Sequence, residues 1–406
     1  MNLYCSPNDL WNALRVISGT TDAETVTYEE WDRVIKKSEE KQALRWPVRV
    51  EAAAGRATVT GHSRRVGLTT VEIPAEVGRS GAAVIDLGKA GQLAKSAGKK
   101  DRAELKVVAG KTELRVGPAR ITFEIPDHHL PTVVLPDAEP DRPPPGLFAQ
   151  ALTAAAGAAA SPVRGGPKQD EFASSRGDFT RVSVFRTASE LVVAGTDGTA
   201  GAETRLVVPF ERPAVGCLIP AAAARVVAAV LRREADRAAR ANAAPAADVW
   251  VTRDSVSVRT PDVTLSTAGA VGQPYRLPAP PPDLRPVRVG LPTFRAAVRA
   301  VVAAATDKFA EAVWVQVANG MVVVSGRSSS GRGEAEVGGI GLDPAVAVDP
   351  VRLYGRGVLD AIGNRQDGPL MLYLDPLQPQ VWFGMDFLTC SLGVMVGDPP
   401  PREGNE

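Results

Sequence analysis

Four arginines stand out by their spacing. Arg225, Arg232, Arg233 and Arg240 fall within an arc of roughly 100° when their segment is wound at about 100° per residue, and Val226, Val227, Val230 and Leu231 take the other side. A helix built this way has one basic face and one core face. The basic face either draws a polyanion through salt-sensitive, sequence-independent contacts or is a solvated surface with no partner. Arg295 and Arg299 stand four apart, hence on one face of another helix. Arg15, Arg352 and Arg356 are further candidates, as are Lys89, Lys95, Lys99 and Lys100, although these lysines spread over several faces.

Residues that could support catalysis are sparse. The three histidines, His62, His128 and His129, have no metal-ligand spacing, and Cys5, Cys217 and Cys390 form neither a disulfide framework nor a Cys-x-x-Cys pair. No phosphate-binding glycine loop and no Gly-x-Ser-x-Gly elbow occurs. Asp197, in Thr196-Asp197-Gly198, reads as a turn-former rather than a catalytic carboxylate. The expectation is a non-enzymatic protein with no metal and no cofactor.

The elements that position these residues repeat. At 406 residues the chain suggests two to four domains, and 44% hydrophobic with 23% charged residues is the composition of a globular protein. Lys plus Arg (47) nearly cancels Asp plus Glu (46), so attraction to an anion must come from where charges sit. The N-terminus lacks a signal-peptide pattern and no apolar run approaches the roughly 20 residues of a membrane helix, so a cytoplasmic protein is expected.

Two proline-rich stretches, Pro140 to Pro145 and Pro278 to Pro282, read as semi-rigid connectors that cut the chain into thirds. Each third opens with a helical pattern: Ser6-Pro7 with Leu10, Leu14 and Ile17, then Leu147 to Leu152, then Phe294 to Ala305. A strand pair follows in each (Val48–Glu51 and Ala57–Thr60; Val182–Val184 and Leu191–Val193; Val313–Val317 and Val322–Val324), then a small-residue corner, another strand and a second helix. Closing strands of alternating character complete each third, such as Leu105–Val108, Val249–Val251 and Leu370–Tyr373. Two helices on antiparallel strands, repeated three times, is an α+β architecture. The expected domains are 1–139, 146–278 and 284–398, with a tail from 399 to 406 and a charged insertion at about 21–44 that carries helix-supporting pairs such as Glu29 with Arg33.

This pattern resembles the bacterial DNA polymerase III β sliding clamp family over nearly the whole chain. Leu191 to Gly198 is similar to the family's middle-domain strand ending in Ala-Thr-Asp-Gly. Thr306-Asp307-Lys308-Phe309, with Gly333-Glu334-Ala335-Glu336 downstream, resembles its third-domain segment, and Pro274-Tyr275-Arg276-Leu277-Pro278 resembles a shortened form of the stretch ending its middle domain. The resemblance implies a head-to-tail homodimeric ring with its helices lining a hole for double-stranded DNA. Arg15, Arg225, Arg232, Arg233, Arg240, Arg295, Arg299, Arg352 and Arg356 would then be DNA-facing. It also implies an apolar cleft that receives short peptide motifs of DNA polymerase and clamp loader, with walls at Phe179, Thr196, Gly198, Pro274, Leu277, Val394, Met395 and Val396. The sequence departs from the family after Gly198 and at its C-terminus, so the alternative is a clamp-fold paralogue with a regulatory or resistance role and altered partner docking.

Overall fold

The computed structural model describes residues 1–18, 47–63, 67–98, 101–124, 133–159, 180–197, 200–208, 212–305, 312–328, 331–362, 368–378, 380–385 and 388–393. The charged insertion, Lys99, Lys100, the histidine pair, Phe179, Gly198, Thr306 to Phe309 and Val394 to Val396 lie outside them. The described residues form two compact units.

Unit one comprises Met1–Ala149 and Ala222–Ala270. Its five-stranded antiparallel sheet runs in the order β5 (Glu76–Arg79), β1 (Asn2–Cys5), β7 (Ala103–Val108), β8 (Lys111–Val116), β9 (Ala119–Phe123). A seven-stranded sheet runs β14 (Asp248–Val251), β15 (Ser255–Arg259), β16 (Val263–Ala268), β4 (Gly67–Pro74), β3 (Arg56–Ser63), β2 (Pro47–Ala53), β6 (Gly81–Asp86). Helix α1 (Pro7–Ser18) starts at the proline expected to open it, and Leu10, Leu14 and Ile17 bury one stripe against Val48, Val50 and Val59. Each such side chain contributes about 1.5–3 kcal/mol by leaving water. Helix α2 (Leu87–Lys95) is capped by Asp86, whose Oδ1 accepts from Lys89 N at 2.8 Å.

Unit two comprises Gln150–Ala221 and Val271–Glu406. Its eight-stranded sheet runs β13 (Val215–Pro220), β10 (Arg181–Arg186), β11 (Glu190–Thr196), β12 (Ala200–Val207), β24 (Leu388–Gly393), β23 (Gln380–Met385), β22 (Pro369–Tyr373), β17 (Val287–Gly290). A four-stranded sheet runs β20 (Gly331–Gly338), β19 (Met321–Ser328), β18 (Ala312–Ala318), β21 (Val348–Tyr354). Phe294 and Val298 of α5 (Leu291–Ala305) and Val358 and Ile362 of α6 (Gly355–Ile362) pack on Val313, Val315, Leu353 and Phe383. Two further helices, α3 (Pro145–Ala158) and α4 (Ala221–Arg240), fall where the middle third was expected to be helical.

Closing strands follow each third in sequence, as expected, but their hydrogen bonds go elsewhere. In the first two thirds the opening strands pair with closing strands of the next third: β4 with β16 (Thr69↔Leu265) and β12 with β24 (Ala202↔Cys390). The sequence pattern contains the strands but not which edges meet, because alternation fixes a face and leaves the edge free. The first closing strand of every third also pairs with the segment just before that third's first helix: β7 with β1, β14 with Asp141 by a bridge, and β22 with β17.

Gly195 exemplifies the close fit of helix on sheet, since a Cβ there would lie 2.0 Å from the carbonyl oxygen of Ala155, whereas one at Gly157 meets nothing within 4 Å. Gly195→Ala is therefore expected to cost roughly 3 kcal/mol or more, while Gly157→Ala is neutral or stabilises by up to about 1 kcal/mol. Urea-denaturation midpoints of the two variants check this, and equal midpoints would refute the steric reading.

Candidate functional site

Helix α4 carries the basic face. Ala223, Ala224, Val227, Ala228, Leu231 and Ala238 are buried, while Arg225, Arg232, Arg233 and Arg240 are all exposed. One anion shares the arc, because Asp236 lies between Arg225 and Arg240 at about 100° per residue. The end of the helix is fastened by a pair that the spacing of the exposed arginines does not reveal. Glu234, only 4% exposed, receives Arg237 Nε at 2.7 Å and Nη2 at 2.8 Å, and also accepts from Ala246 N at 3.1 Å. Burial alone would raise the Glu234 pKa, but Arg237 and the Ala246 amide outweigh it and hold the carboxyl below its usual range. The i,i+3 spacing of Glu234 and Arg237 was the available signal.

The other expected cations separate. Arg15 on α1 and Arg299 on α5 are exposed. Arg295 corrects the expectation: it is 8% exposed and donates from Nη2 to the Ile362 carbonyl at 3.3 Å, anchoring the end of α6. Burial, and then the neighbouring Arg299, lower its pKa. Four-residue spacing put both arginines on one face, but the first turns of that face lie against α6. Arg352 is placed differently from the helical arginines. It stands on β21 between the core residues Val351 and Leu353, so it lies on the sheet face away from α5 and α6, with its guanidinium 5.4 Å from the Trp314 ring centroid. Arg356 belongs to α6, and its side chain is outside the described residues.

Of the expected cleft walls, Thr196, Pro274 and Leu277 are described. The connector after β16 crosses the eight-stranded sheet strand by strand. A Cβ on Gly272 would meet Leu218 Cδ1 of β13 at 2.5 Å, and Tyr275 N donates to Ser183 Oγ of β10 at 3.2 Å. Leu277 N donates to Glu203 Oε2 of β12 at 3.1 Å, and Trp382 Nε1 of β23 donates to the Pro278 carbonyl at 2.8 Å. Leu277 seats its Cδ2 2.2 Å from where a Gly201 Cβ would be, and Gly201 is the register partner of Thr196. Thr196 and Leu277 thus both adjoin Gly201. Glu203 is held in turn by Arg205 at 2.8 Å, the hydrogen bond that chiefly raises the Arg205 pKa.

Reactive chemistry is scarce along these surfaces. Among the described residues no three His, Cys, Asp or Glu side chains cluster to hold a metal ion, and no helix is long and apolar enough to cross a membrane. Cys5 and Cys390 are buried, which pushes each thiol up to about 12. A shallow recess of about 280 Å³ lies between α2 and β9, lined by Lys89, Gln92, Leu93, Ser96 and Ile121.

No protein-family model matches the chain, and no relative emerges among curated proteins. Solved structures do match. The DNA polymerase III subunit beta from Pseudomonas aeruginosa aligns at a TM-score of 0.73 and 14% identity, covering 97% of this chain and 100% of that one. The DNA polymerase sliding clamp from Bacillus subtilis aligns at 0.76 and 13% identity, over 98% and 100% respectively. A sliding clamp from P. aeruginosa bound to griselimycin aligns at 0.75 and 14% identity, over 98% and 99%. The chain has the sliding-clamp fold over almost its whole length.

The Glu234 fastening makes a pH prediction. A carboxyl depressed in the folded state contributes stability above its unfolded pKa and loses it as the pH falls through the folded value. Glu234→Gln should therefore lower the urea midpoint at pH 7, and its gap from the parent should close as the pH drops through and below the carboxylate range. A gap independent of pH would contradict the charge pairing.

Proposed function

We propose that this chain is a non-catalytic DNA sliding clamp, a head-to-tail homodimeric ring that encircles double-stranded DNA and tethers a polymerase to it in the cytoplasm. The observation that carries the reading is a pair of sheet edges that, among the described residues, are left open in complementary form. In the internal pattern the third opening strand meets the last closing strand of the following third, as β4 meets β16 and β12 meets β24. The remaining members are β20 and β9, each at the edge of its sheet. Exposed edges invite pairing with another chain, and two copies joined β20 to β9 at both ends give closed cyclic symmetry.

The repeat also supplies the register. Gly195↔Ala202 and Gly326↔Gly333 equate Gly333 with Ala202, while Phe383↔Cys390 and Leu114↔Ile121 equate Ile121 with Cys390. Ala202↔Cys390 then transposes to Gly333 opposite Ile121 of the second copy, which sets Glu334 opposite Arg120. Opposite charges in directly facing positions favour this junction. The recess beside Ile121 would adjoin it and offers room for partner side chains.

The three repeats 1–139, 146–278 and 284–398 would give six similar domains per ring. Arg225, Arg232, Arg233 and Arg240, with Arg15 and Arg299, would face the DNA. Exposed arginines of this kind make weak phosphate contacts that carry no sequence information and permit sliding. Thr196 and Leu277, which both adjoin Gly201, would form part of a wall for polymerase and clamp-loader peptides; Pro274, Phe179, Gly198, Val394, Met395 and Val396 complete the proposed cleft.

Two measurements test the reading. Arg120→Glu should weaken the dimer about thirtyfold in sedimentation equilibrium, corresponding to roughly 1 kcal/mol at each of the two junctions, and adding Glu334→Arg should restore it. An Arg120→Glu dimer as tight as the parent would sink the proposed register. Replacing Arg225, Arg232, Arg233 and Arg240 with alanine should reduce the slope of log affinity for duplex DNA against log salt by about 0.9 for each phosphate no longer neutralised. An unchanged slope would remove this face from the DNA-binding surface.

A further inference from the structure

Two buried tryptophans hold the two proline-rich connectors by the same bond. Trp250 Nε1 on β14 donates to the Ala138 carbonyl at 2.6 Å, just ahead of Pro140 and the run at 143–145. Trp382 Nε1 on β23 donates to the Pro278 carbonyl at 2.8 Å, just ahead of the run at 280–282. Trp314 on β18 is as deeply buried, at 7% exposure against 6% and 4%, yet its Nε1 has no hydrogen-bond partner among the described residues. A buried indole N–H without an acceptor is uncommon, because the group gives up water and receives nothing in return.

Trp314 lies on the face of the four-stranded sheet away from α5, as the burial of Val313 and Val315 in the helix-covered core requires. Its row across the sheet is Glu334, Ser325, Trp314, Arg352. Arg352 covers the ring, and Tyr354, two residues along β21, is 48% exposed. An indole with a free donor beside an exposed tyrosine is the kind of surface on which extended proline-rich segments dock.

The chain contains a third such segment in the corresponding place. Closing strands β9 and β16 are each followed by a proline-rich stretch, and β24 is followed by Asp398-Pro399-Pro400-Pro401-Arg402. β24 lies beside β21, the strand that carries Arg352 and Tyr354. Five residues of extended chain from Gly393 to Asp398 reach roughly 17 Å, several strand widths. Arg402 would find Glu336, exposed on β20.

We propose that residues 398–402 dock on this outer face, with one of their backbone carbonyls accepting from Trp314 Nε1 and the proline rings against the indole and Tyr354. The test uses the indole N–H signals of the full-length protein labelled with ¹⁵N-tryptophan, with Trp314→Phe identifying the Trp314 resonance. Ending the chain after Gly397 should shift that resonance and speed its exchange with water at least tenfold, leaving Trp250 and Trp382 unchanged; a synthetic peptide of residues 396–406 should reverse the change. A full-length chain carrying Pro399→Gly, Pro400→Gly and Pro401→Gly should show the same shift. A Trp314 signal identical in the full and shortened chains would overturn the proposal, as would a change shared equally by Trp250, Trp314 and Trp382 or one the peptide fails to reverse.

Discussion

An antiparallel sheet edge carries a row of N–H and C=O groups that must find partners, and the organisation of this chain follows from where they find them. The β4 edge meets β16 and the β12 edge meets β24, strands far away in sequence. These two pairings draw segments from different thirds into each compact unit, so the units do not coincide with the sequence repeat. Each pairing continues a sheet across a boundary between repeats and removes two edges at once. The same rule leaves β9 and β20 at the edges of their sheets among the described residues.

Much of the fold was legible because its elements obey simple periods. Pro7 and the Leu10, Leu14, Ile17 stripe fixed α1, and alternation in Leu105, Leu114 and Val116 against Glu104, Lys106 and Glu113 marked the closing strands. The basic arc of α4 followed from angular spacing alone. Two arginines escaped this logic. Helical period assigns residues to a face but does not say what the face meets, so Arg295 and Arg299 read alike although Arg295 is buried against the end of α6. Arg352 read as one more cation, and its place above Trp314 depends on a strand register that no local pattern encodes. The proline-rich stretches were legible as connectors, but the surfaces they cross were not, because Ser183, Glu203 and Trp382 are scattered through the sequence.

Sliding requires binding energy that is real but evenly spread. A cluster of buried, well-formed ion pairs would fix DNA in one position, whereas exposed arginines on a helix give a diffuse attraction that salt readily weakens. The chain keeps its specific pairings for structure. Glu234 with Arg237 ends α4, Asp248 with Arg142 and Arg259 holds the first connector, and Glu203 with Arg205 supports the second. In each of these structural pairs it is the carboxylate that is withdrawn from water, while its arginine partner stays about half exposed. Arg225, Arg232, Arg233 and Arg240 are exposed on α4.

Closure is the property on which the clamp reading stands, and direct imaging of the purified protein by negative-stain electron microscopy tests it most directly. Closed rings with a central opening wide enough for duplex DNA are predicted at micromolar concentration. Single crescents at that concentration, with no rings, would contradict the claim that this chain encircles DNA.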